Sequence, residues 1–560
     1  MASLTKYLCT FSRRTVRFLF ALVAAWLFVS CLVTTSYVVF VSDDVMHSEM
    51  NWICPDSTWL QCLLFSLVCL IWIFLFNRCT LSAKERRLRT VRLALIYFAG
   101  LLASLWVVCI QLTPRADACS IQTAAADLYN GHTYLFAPGE YMYVYPHQSG
   151  LLLIHLLLQQ INPNTTLPFQ LLNVLCYMGI LYSLGEFGLE FGLGEGGSLS
   201  VTALGIAFLP LLFYVSFVYG TIPGLFLSMA GLLLTIHFCR NAKWYQAISA
   251  SVLLSMAVLF KSNYQIFVIA ALLYALYNGL QGKKHCFWLP MGLLLGWLLA
   301  GKLPILILER WTGCSLHNGI STAAWLAMGL RDDILRGPGW YSEYTLGTYF
   351  TAGMDPQAQN VIVLDSISGT LQGWLMHPKA MVSFFARKNA TQWSEPLFQS
   401  LWLNLVGHTA AYSPLPKWTE FLLNSQGPNF LNQAMNLLQT LVYGGLVLWA
   451  WVPTSKIRKP SEDLLALVLL GGFVFHTFWE AKSQYTLPYF VLILPLAILG
   501  YRRLAALPWE PNRQALWHSI IGKVRFLVPL LLMITAALLS LILAPALHDT
   551  LAQLLQALPQ

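Results

Sequence analysis

Asp117 closes the run Pro114-Arg115-Ala116-Asp117 just behind a long apolar stretch, in a chain of which only 10% is charged. Further on come Tyr141, Tyr143 and Tyr145, and the last leads directly into Pro146, His147 and Gln148. Lys261 interrupts "SVLLSMAVLFKSNYQIFVIAALLYAL", which carries no other charge. Glu480, Lys482 and Tyr485 share "FHTFWEAKSQYTLPY", and Arg331 lies in "AWLAMGLRDDILRGPGWYSEY". These are side chains suited to proton and phosphate chemistry. A carboxylate can serve as a general base toward a hydroxyl, and an ammonium or guanidinium can hold a phosphate. Each also has a plainer reading. Asp117 could cap a helix over 118–130, and Lys261 could snorkel to an interface. Glu480 and Lys482 could form an exposed ion pair worth about 0–1 kcal/mol. Arg331, with Asp332, Asp333 and Arg336, could line a solvated loop, and His147 could merely satisfy a tyrosine hydroxyl. The tyrosines, Trp340 and Trp393 fit an interfacial aromatic belt.

The element that must position such groups is a membrane helix. The 560 residues are 57% hydrophobic, with mean hydropathy +0.62, far above a soluble chain. Apolar runs of about 20 residues recur, each enough to cross a bilayer, and lipid demands that they be helical because it offers the backbone no partners. The expected fold is all-α and polytopic, with about 13 transmembrane helices: 16–41, 57–77, 92–112, 166–187, 197–218, 221–239, 243–260, 264–281, 286–307, 430–452, 462–480, 484–501 and 525–545. With the N-terminus inside, one face collects 22 of the 33 basic residues on short loops, which makes that face cytoplasmic. The net charge of +9 therefore speaks for membrane orientation, not for nucleic acid. A multi-pass plasma-membrane protein with its functional face outside follows. The first span is too long for a cleaved signal peptide and reads as an anchor.

The chemistry-bearing clusters all fall on the external side. Two external regions stand out, 113–165 and 308–429. The first offers helices over 118–130 and 147–161, the second of them too short to cross. The other holds "GTLQGWLMHPKAMVSFFARKNATQW" (369–393), whose apolar residues fit an interfacial helix interrupted at Pro378. The domains expected are a two-span extension with a basic loop (1–91), a transmembrane core (92–310), an external loop (311–429) and C-terminal helices (430–560). No P-loop, dinucleotide fingerprint, HExxH or paired-cysteine motif is present. The twelve cysteines lie mostly in apolar runs; Cys54, Cys119 and Cys314, in polar loops, show no metal spacing and are expected as free or buried thiols, with a disulfide among them the alternative. A lipid-linked saccharide transporter or flippase is the alternative class. It is disfavoured because neither repeat symmetry nor midplane polar residues are evident.

The order of these parts resembles the integral-membrane glycosyltransferases of the GT-C fold, in the protein-mannosyltransferase and lipid A aminoarabinose-transferase-like branch. There, a span is followed by an external loop opening on an acidic residue, then a short interfacial helix with a Tyr/Pro-rich motif, then a hairpin with a lysine at its outer turn. Pro114-Arg115-Ala116-Asp117, Tyr145-Pro146-His147-Gln148 and Phe260-Lys261-Ser262-Asn263 look like those parts. The stretches around Trp325 and Glu480 further resemble Gram-positive bacterial members. The resemblance implies a polyprenyl-phosphate sugar as donor, a cell-envelope glycan, lipid or protein as acceptor, and inversion at the anomeric carbon. It implies Asp117 as the base and Lys261, then Arg115, Lys482 and Arg331, at the donor phosphate. Tyr145, His147, Gln148, Glu480 and Tyr485 would orient substrate. The chain departs from the pattern where Ala118 stands in place of a second acidic residue, so no cofactor is expected and a divalent metal would lack its second carboxylate.

Overall fold

The computed structural model describes residues 2–40, 49–56, 64, 67–68, 85–333, 336–407, 415–424, 426–452 and 459–506. Seven helices among them are long and apolar enough to cross a membrane: Phe11–Val33, Glu85–Ile110, Leu167–Glu190, Thr221–Asn241, Ser262–Leu280, Lys284–Thr312 and Pro460–Phe478. Two bent pairs, Gly194–Ala207 with Leu209–Ser216 and Ser483–Leu492 with Leu494–Ala505, raise the number to as many as nine. Trp244–Phe260 has 17 residues, which is about 26 Å of helix, and Gly427–Trp451 has 25. The protein is thus an all-α, multi-pass membrane protein. The expected span 525–545, and all of 57–77 except residues 64, 67 and 68, lie outside the described residues.

The bundle has two chemically distinct ends. At one, Arg13 and Arg17 converge on Asp463, Arg240 meets Glu190, and Lys459 donates to the Glu190 carbonyl. Arg503 is buried there between Glu462 and the Trp449 carbonyl. The first helix is tied at this end to Pro460–Phe478. The other end receives the loops carrying Asp117, Tyr219, Lys261 and Glu480.

Three expectations are corrected. The first span ends at Val33 rather than residue 41, because "TTSYVVF" leaves the helix as a strand, Thr34–Phe40. Its β-branched and aromatic residues favour a pleated backbone, and it pairs antiparallel with Glu49–Pro55. The element expected over 369–393 is divided at the expected interruption, Pro378, into Pro356–Met376 and Pro378–Trp393. Proline there disfavours helical geometry in the residue before it. Lys388–Trp393 is buried against protein instead of lying on lipid. Trp340 and Trp393, at 1% and 0% exposure, are core residues and not an interfacial belt; Trp340 donates to Thr391 Oγ1 at 3.0 Å.

Packing at the C-terminal helices depends on two small residues. A Cβ on Gly500 would sit 1.9 Å from the Gly445 carbonyl oxygen, so the helices Gly427–Trp451 and Leu494–Ala505 touch backbone to backbone. Gly500→Ala should lower the thermal midpoint of the detergent-solubilised protein, by an overpacking cost of about 1–3 kcal/mol. Unchanged melting would show that the helices can separate freely there.

Candidate active site

The loops at the second end enclose a cavity of about 730 Å³ lined by Arg115, Asp117, Tyr145, His147, Gln148, Lys261, Glu480, Lys482 and Tyr485, among others. Its volume is that of a small-molecule site. Asp117 opens the helix Asp117–Tyr129, and Ala116 before it adopts a left-handed φ of 49°. Asp117 is the first helical residue and the N-cap position falls on Ala116, so the capping role does not hold, and Asp117 lines the cavity. The hydroxyl of Tyr141 lies beside it, and burial and this carboxylate hold that phenol above its ordinary range.

Lys261 ends the helix Trp244–Phe260 with an extended backbone. Its ammonium sits 4.7 Å from the ring centre of Tyr485 and 5.0 Å from that of Tyr219, and 3.4 Å from Thr221 Oγ1. Two aromatic faces substitute in part for lost water. Gln148 Nε2 donates to the Tyr219 hydroxyl at 2.7 Å, and the Tyr485 hydroxyl donates to Glu480 Oε2 at 3.4 Å. Gln148, Lys261 and Glu480 are thereby linked through two tyrosines. Burial, then the nearby Lys482 charge, pushes the Lys261 ammonium down to about 7. Burial pushes Glu480 up to about 7, against the pull of Lys482. Glu480 is only 4% exposed, so it is not half of an exposed ion pair. Lys482 bonds instead with Glu49, at 3.2 Å. Despite its burial, Lys482 is held above its ordinary range by Glu49 first and Glu480 next.

The turn bearing Glu480 and Lys482 is fixed from behind. Lys388, fully buried, donates to the Gly329 carbonyl at 2.5 Å and to the Trp479 carbonyl at 2.6 Å. The Ala481 amide donates to the Gly339 carbonyl at 2.7 Å. On the far side Glu395, also buried, accepts from the Ser483 hydroxyl at 2.8 Å.

Nine of the ten residues singled out in the sequence thus line one cavity. Arg331 does not. Its guanidinium stacks on Tyr344 at 4.3 Å and lies outside the wall, because the short hairpin Asp332–Asp333/Gly337–Pro338 brings Arg336 to the cavity instead. Sequence reasoning missed Glu49, Tyr219, Trp325 and Trp402. Tyr219 had a signal: Gly220 follows it, and a Cβ there would meet the Phe260 carbonyl oxygen at 1.9 Å, a contact that only glycine permits and that brings Tyr219 to Lys261. Glu49 had none, since nothing in its neighbourhood marks it. Among the described residues no three His, Cys, Asp or Glu side chains group as a metal site, and Cys31, Cys54, Cys109, Cys119, Cys176, Cys239, Cys286 and Cys314 are free thiols.

Behind the cavity lies an apolar groove of about 1120 Å³. It is walled by Gly150, Leu157, Phe226, Val252, Leu259, Phe260 and Leu295, and reaches His285 and Trp288. Phe260 lines the groove and Lys261 the cavity; Gly150 lines the groove and Gln148 the cavity. The two compartments abut where the helix Ser149–Gln159 crosses the end of Trp244–Phe260.

No family model matches the chain, and no curated protein matches it. Among solved structures it is similar to the archaeal oligosaccharyltransferase AglB from Archaeoglobus fulgidus, in complex with an inhibitory peptide and a dolichol-phosphate. The TM-score is 0.36 and the identity 11%, over 80% of this chain and 56% of that one. The chain therefore spans little more than half the length of that protein.

The cavity's cations make its affinity for anions dependent on pH. A phosphodiester probe, whose own charge is constant, should bind more weakly as pH rises through about 7. Lys261 loses its proton there, and Glu480 gains a negative charge over the same range, so both changes act in one direction. The fall should approach about tenfold per pH unit. Lys261→Arg should remove the lysine's share and Glu480→Gln the rest, read by quenching of tryptophan fluorescence.

Proposed function

We propose that the protein is an inverting membrane glycosyltransferase, moving a sugar from a polyprenyl-phosphate donor to an acceptor hydroxyl on the external face. The observation that carries this reading is the junction of the charged cavity with an apolar groove of nearly membrane-spanning length. A phosphate ester of a long isoprenoid needs both surroundings at once, cations for its head and hydrocarbon for its tail.

The chemistry follows from the wall. The acceptor oxygen attacks the anomeric carbon from the face opposite the phosphate, and the bond from that carbon to the phosphate oxygen breaks. Its electron pair leaves with polyprenyl phosphate, and the acceptor proton passes to Asp117. Positive charge on the sugar grows in the transition state, so the negative charge gathering on the phosphate must be met by fixed cations in a water-poor site. Lys261 and Lys482 supply these, with Arg115 beside them. Tyr145, His147 and Gln148 on one side and Glu480 and Tyr485 on the other orient the sugar and acceptor. The basic end of the bundle, opposite the cavity, supports an external site by the positive-inside rule.

Asp117→Asn keeps the side chain's shape and removes the base. In proteoliposomes supplied with radiolabelled polyprenyl-phosphate sugars, transfer should fall by about 10²–10⁴ while thermal stability and binding of the phosphodiester probe persist. Transfer at the wild-type rate by the variant would overturn the assignment of the base.

A further inference from the structure

The N-terminal segment, which the sequence places outside the core, supplies a wall of the cavity. The strand Thr34–Phe40 is pinned to the buried helix Pro378–Trp393: the Ser36 amide donates to the Ser394 carbonyl at 2.9 Å and the Ser36 hydroxyl to the Ala390 carbonyl at 3.2 Å. From the partner strand, Asn51 Nδ2 donates to the Arg336 carbonyl at 2.8 Å. Glu49 begins that strand and stands on the cavity wall with Arg115, Arg336 and Lys482. Its Oε2 is 3.2 Å from Lys482 Nζ, and both side chains keep partial access to the cavity, at 18% and 17% exposure. Its charge also reaches Arg115, whose guanidinium burial otherwise disfavours. The hairpin therefore carries one carboxylate into the cation cluster and steadies the loop that bears a fourth cation, Arg336.

We propose that Glu49 is a positioning residue that holds Lys482 in place when the cavity is empty and limits how tightly a phosphate can be kept there. The reasoning is electrostatic. A phosphate entering between Lys261 and Lys482 gains attraction from both ammoniums and meets repulsion from Glu49, whose hairpin is tied down by Ser36 on one strand and Asn51 on the other. A phosphodiester donor carries one negative charge. The phosphate monoester released after transfer carries up to two, and the repulsion grows accordingly. Glu49 thus discriminates against the product more strongly than against the donor, and favours its departure. This inference rests on the cavity binding a phosphate ester, as proposed above.

The test compares wild type with Glu49→Gln at pH 6, where Lys261 and Lys482 both carry protons. The probes are a short-chain isoprenyl phosphate and the phosphodiester probe, and binding is read by tryptophan fluorescence. Removing one negative charge at contact distance from a partly screened cation should tighten binding of the monoester by about tenfold, and of the diester by less. The gain should persist or grow in the Lys482→Gln background, where Glu49 repels the phosphate without its ion-pair partner. In turnover assays Glu49→Gln should lower KM for the donor and lower kcat together, as release slows. A purely structural role would weaken binding of both probes and reduce thermal stability. That result, or equal binding by the two proteins, overturns the inference alone. Absence of binding in wild type overturns the reading of the cavity and this inference with it.

Discussion

A lysine at the rim of an apolar bundle must be compensated, and the arrangement around Lys261 shows what that requires. Its ammonium stands between the rings of Tyr219 and Tyr485, each of which bonds outward to a group on another loop, Gln148 and Glu480. Four separate connections between helices are thereby brought to one point. The surrounding devices serve this convergence: Gly220 lets one loop touch Phe260, and Lys388 fixes the turn that carries Glu480. Cation–aromatic contacts of this kind gain strength as water is removed, so closure of the cavity around a ligand would strengthen them.

Burial without pairing is costly for any charge, and the site distributes that cost unevenly. Lys482 has Glu49 at bonding distance and keeps its proton firmly. Lys261 has rings, a hydroxyl and a neighbouring cation, and holds its proton only to about 7. Two lysines facing one cavity therefore differ in character, one a permanent charge and the other poised. The difference arises from what each loop could bring along, not from the lysines themselves.

Much of this architecture was legible in the sequence. Apolar runs give the helices because lipid leaves the backbone no alternative, and each expected span within the described residues has a helical counterpart. Asp117, Lys261 and Glu480 were visible because a charge beside an apolar run is conspicuous. What escaped detection depended on tertiary placement. Thr34–Phe40 follows the first helix without a break in the chain, and its β-branched residues together with its pairing to Glu49–Pro55 make it a strand. Glu49 lies in an ordinary polar loop and acquires its role from a hairpin folding over the bundle. Arg331 and Arg336 are indistinguishable by type, and the short hairpin between them decides which one meets the cavity. Trp393 looked like an interfacial aromatic because composition cannot tell lipid from a protein interior.

The groove has exposed hydrocarbon along its length: Leu157 is 69% accessible, Trp288 69% and Leu295 61%. A donor of the proposed kind would come to it sideways, from within the bilayer, without passing through water. Occupancy is then governed by the ligand's mole fraction among lipids rather than by its bulk molarity. Detergent added in excess dilutes the substrate in two dimensions even when the total amount in the tube is unchanged, and it competes for the same hydrocarbon wall.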